Sequence, residues 1–455
     1  MDATGHFADH VIATRYEDLS GETRAAARRL ILDTIGVGLA GSTGQWAEAL
    51  FGAGAGWGQG APCRVFGRTG RFPPGLAALY NAYCVHNSEF DCLHEEAVVH
   101  ALTAILPAAL AAAEQRGGVP GKALIEAVVA GVDIAAAIGL AGTAPMKFFR
   151  PAVAGGFGAV AAAGKIAGLD REQLINAFGA QYAQSGGSMQ AHEEGTMLLA
   201  LQIGFNARAA VEAVDLARAG LKATQSTFEG RFGYFNLFEE ATELGPVLAG
   251  LPAARRIEQV VEKPFPTGRA THGAIEAVMR LRARRAAEPE ALRRIVVTVS
   301  PVAHSLVGRP ARPGMPANYA RLCLSYCVAR CLRDGRIGVD HFTPAALADP
   351  ELLALAGRIE VQTFDMAEPS AFGPSRVCLD YSDGATEAET VGQALGHPAN
   401  PVSEAQRLAK FRANCRAAAI PLPDEGAAAL AERIEGLDGL EDVGVLMDLA
   451  CAQPG

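Results

Sequence analysis

The 455-residue sequence is poor in aromatic side chains and has no excess of positive charge. Phenylalanine, tyrosine and tryptophan make up 6% of the chain, and the formal net charge is −9. A nucleic-acid partner needs a basic face that neutralises phosphates, so we expect no nucleic-acid binding. The acidic balance does not suggest a membrane surface either. A small anionic substrate stays possible, because a few local cations are enough to bind it.

The sequence also lacks the usual marks of export and of membrane insertion. Residues 1–16 contain neither the basic region nor the apolar region of a signal peptide. The longest weakly polar stretch, residues 97–113, is interrupted by His100 and Pro107, so we expect no membrane span. Nine cysteines without a paired framework favour a reducing compartment. The expected location is therefore the cytoplasm.

A phosphate-binding glycine loop is a third absence. Residues 52–60 are rich in glycine, but no strand precedes them and no βαβ unit surrounds them. Residues 155–158, Gly-Gly-Phe-Gly, lie inside an apolar helical stretch, and close packing between helices explains them better. We therefore expect no nucleotide cofactor.

What the sequence has in abundance is helical periodicity. From residue 22 to about residue 250 apolar residues recur at helical spacing, and the chain is too long for one compact core. Helices that are apolar on all sides must be buried against one another. The expected helices include residues 24–39, 101–115, 122–140, 152–167 and 201–220.

The pattern changes after Pro264. Residues 294–300 and 358–363 are typical of strands, and residues 375–381 and 385–391 flank a Ser-Asp-Gly turn typical of a β-hairpin. Residues 318–333 and 403–419 are predicted to be helical. The predicted fold is mainly α with an α+β second domain. A discontinuous all-helical domain would comprise residues 1–265 and 397–455, and a smaller α+β domain residues 266–396.

Ionisable side chains are densest between residues 86 and 100. Glu89, Asp91, His94 and His100 are the candidate catalytic residues, because buried carboxylate–histidine pairs tune acids and bases near neutral pH. Glu95 and the adjacent Glu96 are expected to be solvated. His94 and His100 are six residues apart, which is not the spacing of a helical zinc motif, so we expect no metal.

A second polar group lies at the expected domain junction. Lys263, Arg269 and His272 precede or begin a predicted helix, whose free N–H groups suit a carboxylate. These three residues are the candidate substrate-binding residues. The alternative is a proline-rich hinge with solvated charges.

Two further patterns are interpreted as structural. Cys323, Cys327 and Cys331 are spaced four apart on one predicted helix, and they span too far to bind one ion, so they are expected to be buried core thiols. His192 is expected in an exposed turn.

The segment from Asn81 to Glu114 resembles the signature of the MmgE/PrpD, or 2-methylcitrate dehydratase, family. That pattern runs N-G-x-x-x-H-x-x-D-F-D-D-T-H, and this chain reads N-A-Y-C-V-H-N-S-E-F-D-C-L-H. The Lys263-Pro-Phe-Pro…His272 stretch is similar to the family's K-P-Y-P-x-C-x-x-x-H. Landmarks such as Asp33-Thr-Ile-Gly and Lys410-Phe411 occur in the family order, so the resemblance covers nearly the whole chain.

The resemblance implies a discontinuous helical domain, a smaller lid domain, a homodimer and a pocket between the domains. It also implies that neither an organic cofactor nor a metal is required. Reactions in this family, which includes cis-aconitate decarboxylase and iminodisuccinate epimerase, move a proton next to a carboxylate.

The chain departs from the family at several positions. Glu89 replaces an aspartate, and Cys92 and Leu93 replace an aspartate and a threonine. A catalytic histidine of some members falls on Phe149, and a family lysine falls on Leu199. Gly268 occupies a position that is histidine in the decarboxylases.

These departures set the functional expectation. We expect a cofactor-independent lyase that abstracts a proton next to a carboxylate or acyl group, on a small-molecule substrate other than a tricarboxylate. An isomerase or epimerase with the same proton-transfer groups is one alternative. A catalytically inactive paralogue that binds a partner or acts as a scaffold is the other.

Overall fold

The computed structural model describes residues 2–58, 62–285, 288–366 and 372–451. Its N-terminal half is helical, as the apolar periodicity predicts. The helices are α1 Ala3–Ala13, α2 Gly21–Gly41, α3 Ala47–Trp57, α4 Pro74–His86, α5 Ile105–Gln115, α6 Gly121–Ala141, α7 Arg150–Ala167, α8 Arg171–Tyr182, α9 Gln190–Glu194, α10 Leu198–Arg218, α11 Tyr234–Phe238 and α12 Leu244–Gly250. Two short antiparallel strand pairs accompany them, β1 Cys63–Arg64 with β2 Arg71–Phe72 and β3 Leu93–His94 with β4 Val260–Val261.

Helices α6 and α7 form the centre of this bundle. A Cβ atom at Gly158 would lie 2.6 Å from the carbonyl oxygen of Gly131, so the two backbones approach as closely as glycine allows. This confirms the packing interpretation of residues 155–158. Helix α6 is long and apolar enough to cross a membrane, but 83% of its most apolar window is buried inside the protein. It is therefore a core helix in this fold.

The chain after Pro264 forms the α+β part. Its helices are α13 His272–Arg284, α14 Pro301–Val307, α15 Ala317–Arg321, α16 Leu324–Asp334, α17 Pro344–Leu347 and α18 Pro350–Gly357. Its strands are β5 Leu292–Val299, β6 Ile359–Thr363, β7 Ser375–Tyr381 and β8 Thr386–Val391, in the order β6-β5-β7-β8. Strands β5 and β6 are parallel and the other pairs antiparallel, with Asp383 in the β7–β8 turn. The predicted strands and hairpin are confirmed.

The chain then returns to helices, α19 Glu404–Arg416, α20 Asp424–Glu435 and α21 Gly444–Ala450. Helix α19 packs on α2, where a Cβ atom at Gly36 would lie 2.7 Å from the Phe411 ring. The fold is thus mainly α with an α+β part, as predicted. The exact domain limits stay a prediction.

Three local expectations are corrected. The helix expected over residues 101–115 begins only at Ile105. The helix expected over residues 318–333 is broken at Cys323, whose extended backbone pairs with Gly308. The three cysteines are buried, as predicted, but only Cys327 and Cys331 lie within one helix. In the glycine-rich stretch, α3 covers residues up to Trp57, and Gly60 lies outside the described residues.

The β3–β4 pair determines where the polar residues meet. Leu93 pairs with Val261 and His94 with Val260, which brings the chain entering Lys263 alongside the chain leaving Asp91. Because successive side chains on a strand point to opposite faces, Leu93 and His94 point apart. This pair therefore joins the two polar segments that the sequence singled out.

Candidate active site

Asp91 lies at the centre of a buried polar cluster. Its Oδ2 atom accepts hydrogen bonds from Nδ1 of His86 at 3.0 Å and from Nδ1 of His100 at 2.8 Å, and the Thr103 hydroxyl also donates to it. The two imidazole rings meet edge to face, with centroids 4.5 Å apart. One fully buried carboxylate therefore orients two histidines.

The contact with Asp91 fixes the tautomer of His100. An ionised carboxylate only accepts hydrogen bonds, so Nδ1 of His100 carries the proton and Nε2, on the opposite edge of the ring, has the free lone pair. Burial lowers the pKa of His100, and the nearby positive charge of Lys263 adds to this effect against the opposing charge of Asp91. His100 is thus neutral near pH 7 and suited to accept a proton through Nε2.

Lys263 neutralises the carboxylates of the cluster. Its Nζ atom donates to the carbonyl oxygen and to Oε2 of Glu89, both at 3.0 Å, and lies 3.9 Å from Oδ1 of Asp91. The side chain is completely buried, so this pairing is what makes its charge tolerable.

His86 differs from His100 in the direction of its pKa shift. Burial opposes its protonation, but the charges of Asp91 and Glu89 outweigh this and raise the pKa of His86. Burial likewise opposes ionisation of the carboxylates, yet Lys263 and the histidines hold the pKa of Glu89 at about 2, and the histidines hold that of Asp91 well below its ordinary value. The two carboxylates of the cluster are therefore ionised beside Lys263.

Glu89 adopts an unusual backbone conformation. Its φ angle is +54°, in the left-handed region that non-glycine residues rarely enter, and Val98 nearby has a φ of +50°. Such strain costs about 1–3 kcal/mol and persists where surrounding contacts enforce it. Here the Lys263 bonds to both the carbonyl and the carboxylate of Glu89 supply those contacts.

A small pocket of about 60 Å³ adjoins Glu89 and His100. This volume holds only a few water molecules, so a substrate requires the pocket to open. The walls come from both parts of the chain. The apolar lining residues are Leu93, Val98, Met146, Phe149, Pro151, Met189, Leu199, Ala270, Leu306, Val307, Leu322 and Phe372.

Most of the positions at which the chain departs from the family, though not Cys92, lie in this wall. Leu93, Phe149 and Leu199 all contact the pocket, and so does Gly268. A Cβ atom at Gly268 would lie 2.7 Å from Cδ2 of Leu322, so leucine fills the space next to that position. Carbon thus replaces polar groups on several sides of the pocket.

His192 is a pocket residue that the sequence reasoning missed. It was expected in an exposed turn, but it is 8% exposed and lines the pocket with His100. Arg309 donates from its guanidinium to Nδ1 of His192 at 3.1 Å and to its carbonyl oxygen at 2.9 Å. Arginine cannot accept a hydrogen bond, so Nδ1 accepts and Nε2 carries the proton. Burial, aided by Arg309, lowers the pKa of His192 to about 4.

His94, another of the predicted catalytic residues, bonds to groups outside the pocket. His94 accepts from the Ala97 backbone N–H through Nδ1 and bonds Oε1 of Gln259 through Nε2, at 3.0 Å, and it does not line the pocket. Burial lowers its pKa. His94 therefore stabilises the turn that follows β3 and joins it to the chain just before β4. Its predicted catalytic role is not supported by a pocket contact.

Arg269 lines the pocket, whereas His272 does not. The Arg269 guanidinium pairs with Glu95 and donates to the carbonyl oxygens of Ala394 and Leu395. His272 contacts Arg269 and the Thr267 carbonyl oxygen, and burial lowers its pKa well below the ordinary value. Glu95 is thus paired rather than freely solvated, which corrects the expectation, whereas the adjacent Glu96 is exposed as predicted.

Asp33 and Lys410 also support the site, although no role was assigned to them from sequence. Lys410 pairs with Asp33 at 2.7 Å and donates to the carbonyl oxygens of Phe90 and Lys263. This bond network links α2 and α19 to both polar segments. Their place among the recurring landmarks was the only sequence signal.

His86, Glu89, Asp91 and His100 each offer one metal-ligand atom, and these atoms lie within 4.8 Å of one another. Several of these ligand atoms are already engaged, although Nε2 of His86 and Oδ1 of Asp91 have no hydrogen-bond partner among the described residues. Nδ1 of each histidine bonds Asp91, and Lys263 pairs with Glu89. A metal would have to displace the buried ammonium of Lys263, so we keep metal-independent chemistry as a prediction.

Comparisons with known proteins agree with this organisation. Residues 5–246 match the MmgE/PrpD N-terminal domain and residues 265–434 the MmgE/PrpD C-terminal domain. The chain is 27% identical to cis-aconitate decarboxylase of Homo sapiens over 98% of this chain and 94% of that protein. It is also 27% identical to cis-aconitate decarboxylase of Aspergillus terreus, over 95% and 92% of the two chains. The chain therefore belongs to the MmgE/PrpD family.

Proposed function

We propose that the chain is a lyase that removes a proton next to a carboxylate or acyl group of a small organic substrate, without an organic cofactor. The Asp91–His100 pair beside the pocket is the observation that carries this proposal. A buried carboxylate that orients a neutral imidazole creates a general base. The relatives named cis-aconitate decarboxylase support a lyase of this general kind.

His192 supplies the second group that such a reaction needs. Removal of a proton next to a carbonyl places negative charge on oxygen, and a neutral N–H donor stabilises that charge. Because Arg309 holds Nδ1 as an acceptor, Nε2 of His192 is that donor. A base and a donor of this kind fit a lyase better than an epimerase, which requires a second base on the opposite face of the substrate.

Lys263 keeps the base in position and sets its electrostatics. It pairs with Glu89 and stands 3.9 Å from Asp91, so it stabilises the ionised carboxylate on which His100 depends. In this arrangement Lys263 contributes positive potential behind the pocket rather than a free ammonium in it. The role of a direct substrate contact, expected from sequence, would require Lys263 to leave Glu89.

The substrate would carry fewer carboxylates than a tricarboxylate. Phe149 and Leu199 present carbon to the pocket, and Arg150, the nearest arginine in sequence to Phe149, pairs with Glu239 at 2.8 Å. An unpaired carboxylate in such a wall loses hydration without compensation. We propose a substrate with one carboxylate or acyl group at the reacting centre and an otherwise apolar body.

One assay separates this function from its alternatives. The purified protein is incubated with mono-, di- and tricarboxylates in D₂O, and NMR follows both proton exchange and product formation. A lyase gives exchange with loss of water or carbon dioxide, whereas an epimerase gives exchange with inversion and no loss. A protein that binds but produces neither result is the inactive paralogue, and that outcome would refute the proposal.

The roles of the two histidines are tested in the same assay. His100→Gln should abolish exchange, whereas His192→Phe should slow product formation and leave the fold intact. His6→Gln is the matched control, because His6 is exposed and far from the pocket in sequence and contacts. Exchange at the wild-type rate in His100→Gln would assign the base to another residue.

A homodimer and a cytoplasmic location stay part of the proposal. Sedimentation of the purified chain measures the first, and fractionation of the source cells measures the second. Neither affects the assignment of His100 and His192.

A further inference from the structure

A second cavity, much larger than the pocket at His100, lies on the other side of the turn formed by Asn87 and Ser88. Its volume is about 790 Å³, within the range of cavities that hold small organic ligands. Both parts of the chain contribute to its wall. The apolar lining residues are Ala40, Met315, Pro316, Ala317, Val339, Phe342, Pro344, Leu347, Ala348 and Ala417.

Arg321, the last residue of α15, lines this cavity and is 9% exposed. One terminal nitrogen donates to the Asn87 carbonyl oxygen at 3.1 Å, and the guanidinium lies 5.1 Å from the centre of the Phe342 ring. Its Nε atom is buried and makes no hydrogen bond to any residue that the structure describes. The guanidinium is therefore held in place but only partly satisfied.

No carboxylate of the described residues forms an ion pair with Arg321, whereas among the other buried cations that the structure describes only Arg256 likewise lacks one. Lys263 pairs with Glu89, Arg150 with Glu239 and Arg269 with Glu95. Among the carboxylates, Glu89 has the strongest electrostatic effect on Arg321, but Lys263 already neutralises Glu89. The positive charge at the inner wall is thus uncompensated.

The rest of the wall does not supply the missing charge. Asp340 is its only acidic lining residue, is exposed, and pairs with Arg336. Asn87 adds a second unsatisfied group, because its amide nitrogen donates to the Gly41 carbonyl oxygen while its Oδ1 atom is buried without a partner among the described residues. A buried cation without an ion pair and a buried acceptor without a donor among the described residues line one cavity.

Burying a charge without a partner costs several kcal/mol, and evolution usually removes such a group or pairs it. Burial lowers the pKa of Arg321 to about 10, so it is still charged at neutral pH. An anion that enters the cavity would satisfy Arg321, and the apolar remainder of the wall would contact the body of the same molecule.

We propose that this cavity is a second ligand site that binds a small organic carboxylate with an apolar body, with the carboxylate on Arg321. The site is distinct from the pocket at His100, since the Asn87–Glu89 turn separates the two. It does not depend on the proposed lyase activity. Failure of one proposal therefore leaves the other standing.

The experiment uses octanoate as the probe and octan-1-ol as a neutral probe of the same length, with binding to the full-length protein measured by calorimetry. Octanoate should bind more tightly than octan-1-ol. Arg321→Met keeps an unbranched apolar stem and removes the charge. It should weaken octanoate binding by about tenfold to a hundredfold, the loss expected for a charge-assisted hydrogen bond, and should leave octan-1-ol unchanged.

A second pair of variants tests the location without touching the arginine. Ala348 is exposed and lines the cavity, so Ala348→Trp should fill it and weaken both probes. Ala345 is exposed on α17, the short helix that ends just before Ala348, but does not line the cavity, and Ala345→Trp is the control. This pair carries the test even if Arg321→Met fails to fold.

Three results would overturn the proposal. Equal binding of octanoate and octan-1-ol would remove the role of charge. Octanoate binding that survives both Arg321→Met and Ala348→Trp would place the probe elsewhere, for example in the pocket at His100. The third result is an absence of binding by a protein that sediments as a dimer and whose dimer contact includes Ala348. A second copy of the chain would then cover the cavity.

Discussion

His100 and Asp91 form a hydrogen bond of 2.8 Å between Nδ1 and Oδ2, inside a buried cluster. The same oxygen also binds His86, so the two rings compete for one acceptor while only His100 adjoins the pocket. The pKa of His100 is lowered and that of His86 is raised, so His86 takes up a proton more readily than His100. The histidine at the pocket is thus the one that is more easily kept neutral.

The first prediction concerns this pair. His100→Gln should lower kcat by about 10²–10⁴, the range that general base catalysis contributes, with a smaller effect on KM. Asp91→Asn should give a comparable loss, because an amide can donate to Nδ1 and so stabilise the wrong tautomer of His100. Steady-state kinetics on any substrate found in the NMR screen measures both effects. An Asp91→Asn variant with wild-type kcat would disprove the orienting role of Asp91.

The second prediction concerns the buried pair of Lys263 and Glu89. Lys263→Met leaves a buried carboxylate without its partner and should lower the free energy of unfolding by about 3–5 kcal/mol. Glu89→Gln should also destabilise, since it leaves Lys263 with a weaker acceptor. The double variant removes both charges and should be more stable than Lys263→Met alone. Urea unfolding of the four proteins gives the coupling energy.

An additive double variant would contradict the pairing. Arg294 and Glu360 provide the matched control, because they also form an ion pair, at 2.7 Å, but are exposed. Exposed pairs contribute about 0–1 kcal/mol, so Arg294→Met should change stability little. The difference between the stability changes of Lys263→Met and Arg294→Met separates the effect of burial from the effect of proximity between charges.

The third prediction follows from the pKa of His192, which is lowered to about 4. Below the ordinary pKa of about 6.5 the unfolded chain takes up a proton at this residue while the folded chain does not. His192 therefore makes the folded state lose stability as the pH falls from about 6.5 towards 4, and the loss is complete only below the folded pKa. At about pH 5 it amounts to about 2 kcal/mol.

The measurement compares wild type with His192→Gln by urea unfolding at about pH 7 and about pH 5. The variant should lose less stability on acidification than the wild type. The quantity compared is the change in the free energy of unfolding between the two pH values, so any cost of the substitution that does not depend on pH cancels. His6→Gln should behave as the wild type does. A variant that loses as much stability as the wild type would mean that His192 is protonated normally.

The fourth prediction is that exhaustive chelation leaves activity unchanged. The carboxylates that could bind a metal pair with Lys263, and both histidines of the group use Nδ1 to bond Asp91. Dialysis against EDTA, followed by metal analysis and assay, measures this. Loss of turnover that one divalent ion restores would show that the cation at this site is a metal.

Much of the fold followed from local sequence pattern. Strand β7 and the Asp383 turn were predicted to the residue, because alternation and turn chemistry are local. The break at Cys323 was not, since apolar periodicity runs through it and only the bridge to Gly308, a tertiary contact, extends the chain there.

The residues of the site likewise fall into those that local sequence pattern predicted and those whose position depends on tertiary contacts. Glu89, Asp91, His100 and Lys263 were predicted because ionisable residues stand out in apolar surroundings, and the structure brings them together. His192 was missed, because its burial depends on Arg309, more than a hundred residues later in the chain. His94 satisfied the same sequence criterion as His100, but the alternation of β3 turns it away from the pocket.

The last prediction is that tricarboxylates such as cis-aconitate, citrate and methylcitrate are turned over poorly or not at all. Leu199 and Phe149 place carbon in the pocket, at positions where the family resemblance implies a lysine and, in some members, a histidine. Each missing charge-assisted hydrogen bond is worth about 1.5–3 kcal/mol, so two losses cost a factor of about 10²–10⁴ in kcat/KM. Neither Arg150 nor Arg269 offers compensation, since each pairs with a glutamate.

The direct test compares kcat/KM for these tricarboxylates with that for mono- and dicarboxylates of similar length. The double substitution Phe149→His and Leu199→Lys should shift the ratio towards tricarboxylates, because it returns two cationic groups to the wall. Ala345→Trp, far from this pocket's lining, should leave the ratio unchanged. Turnover of any tricarboxylate above about 10⁴ M⁻¹s⁻¹ by the natural chain would contradict the argument. In that case another cation must reach the substrate, and the candidates are Arg269, released from Glu95, and Lys263, released from Glu89 as the pocket opens.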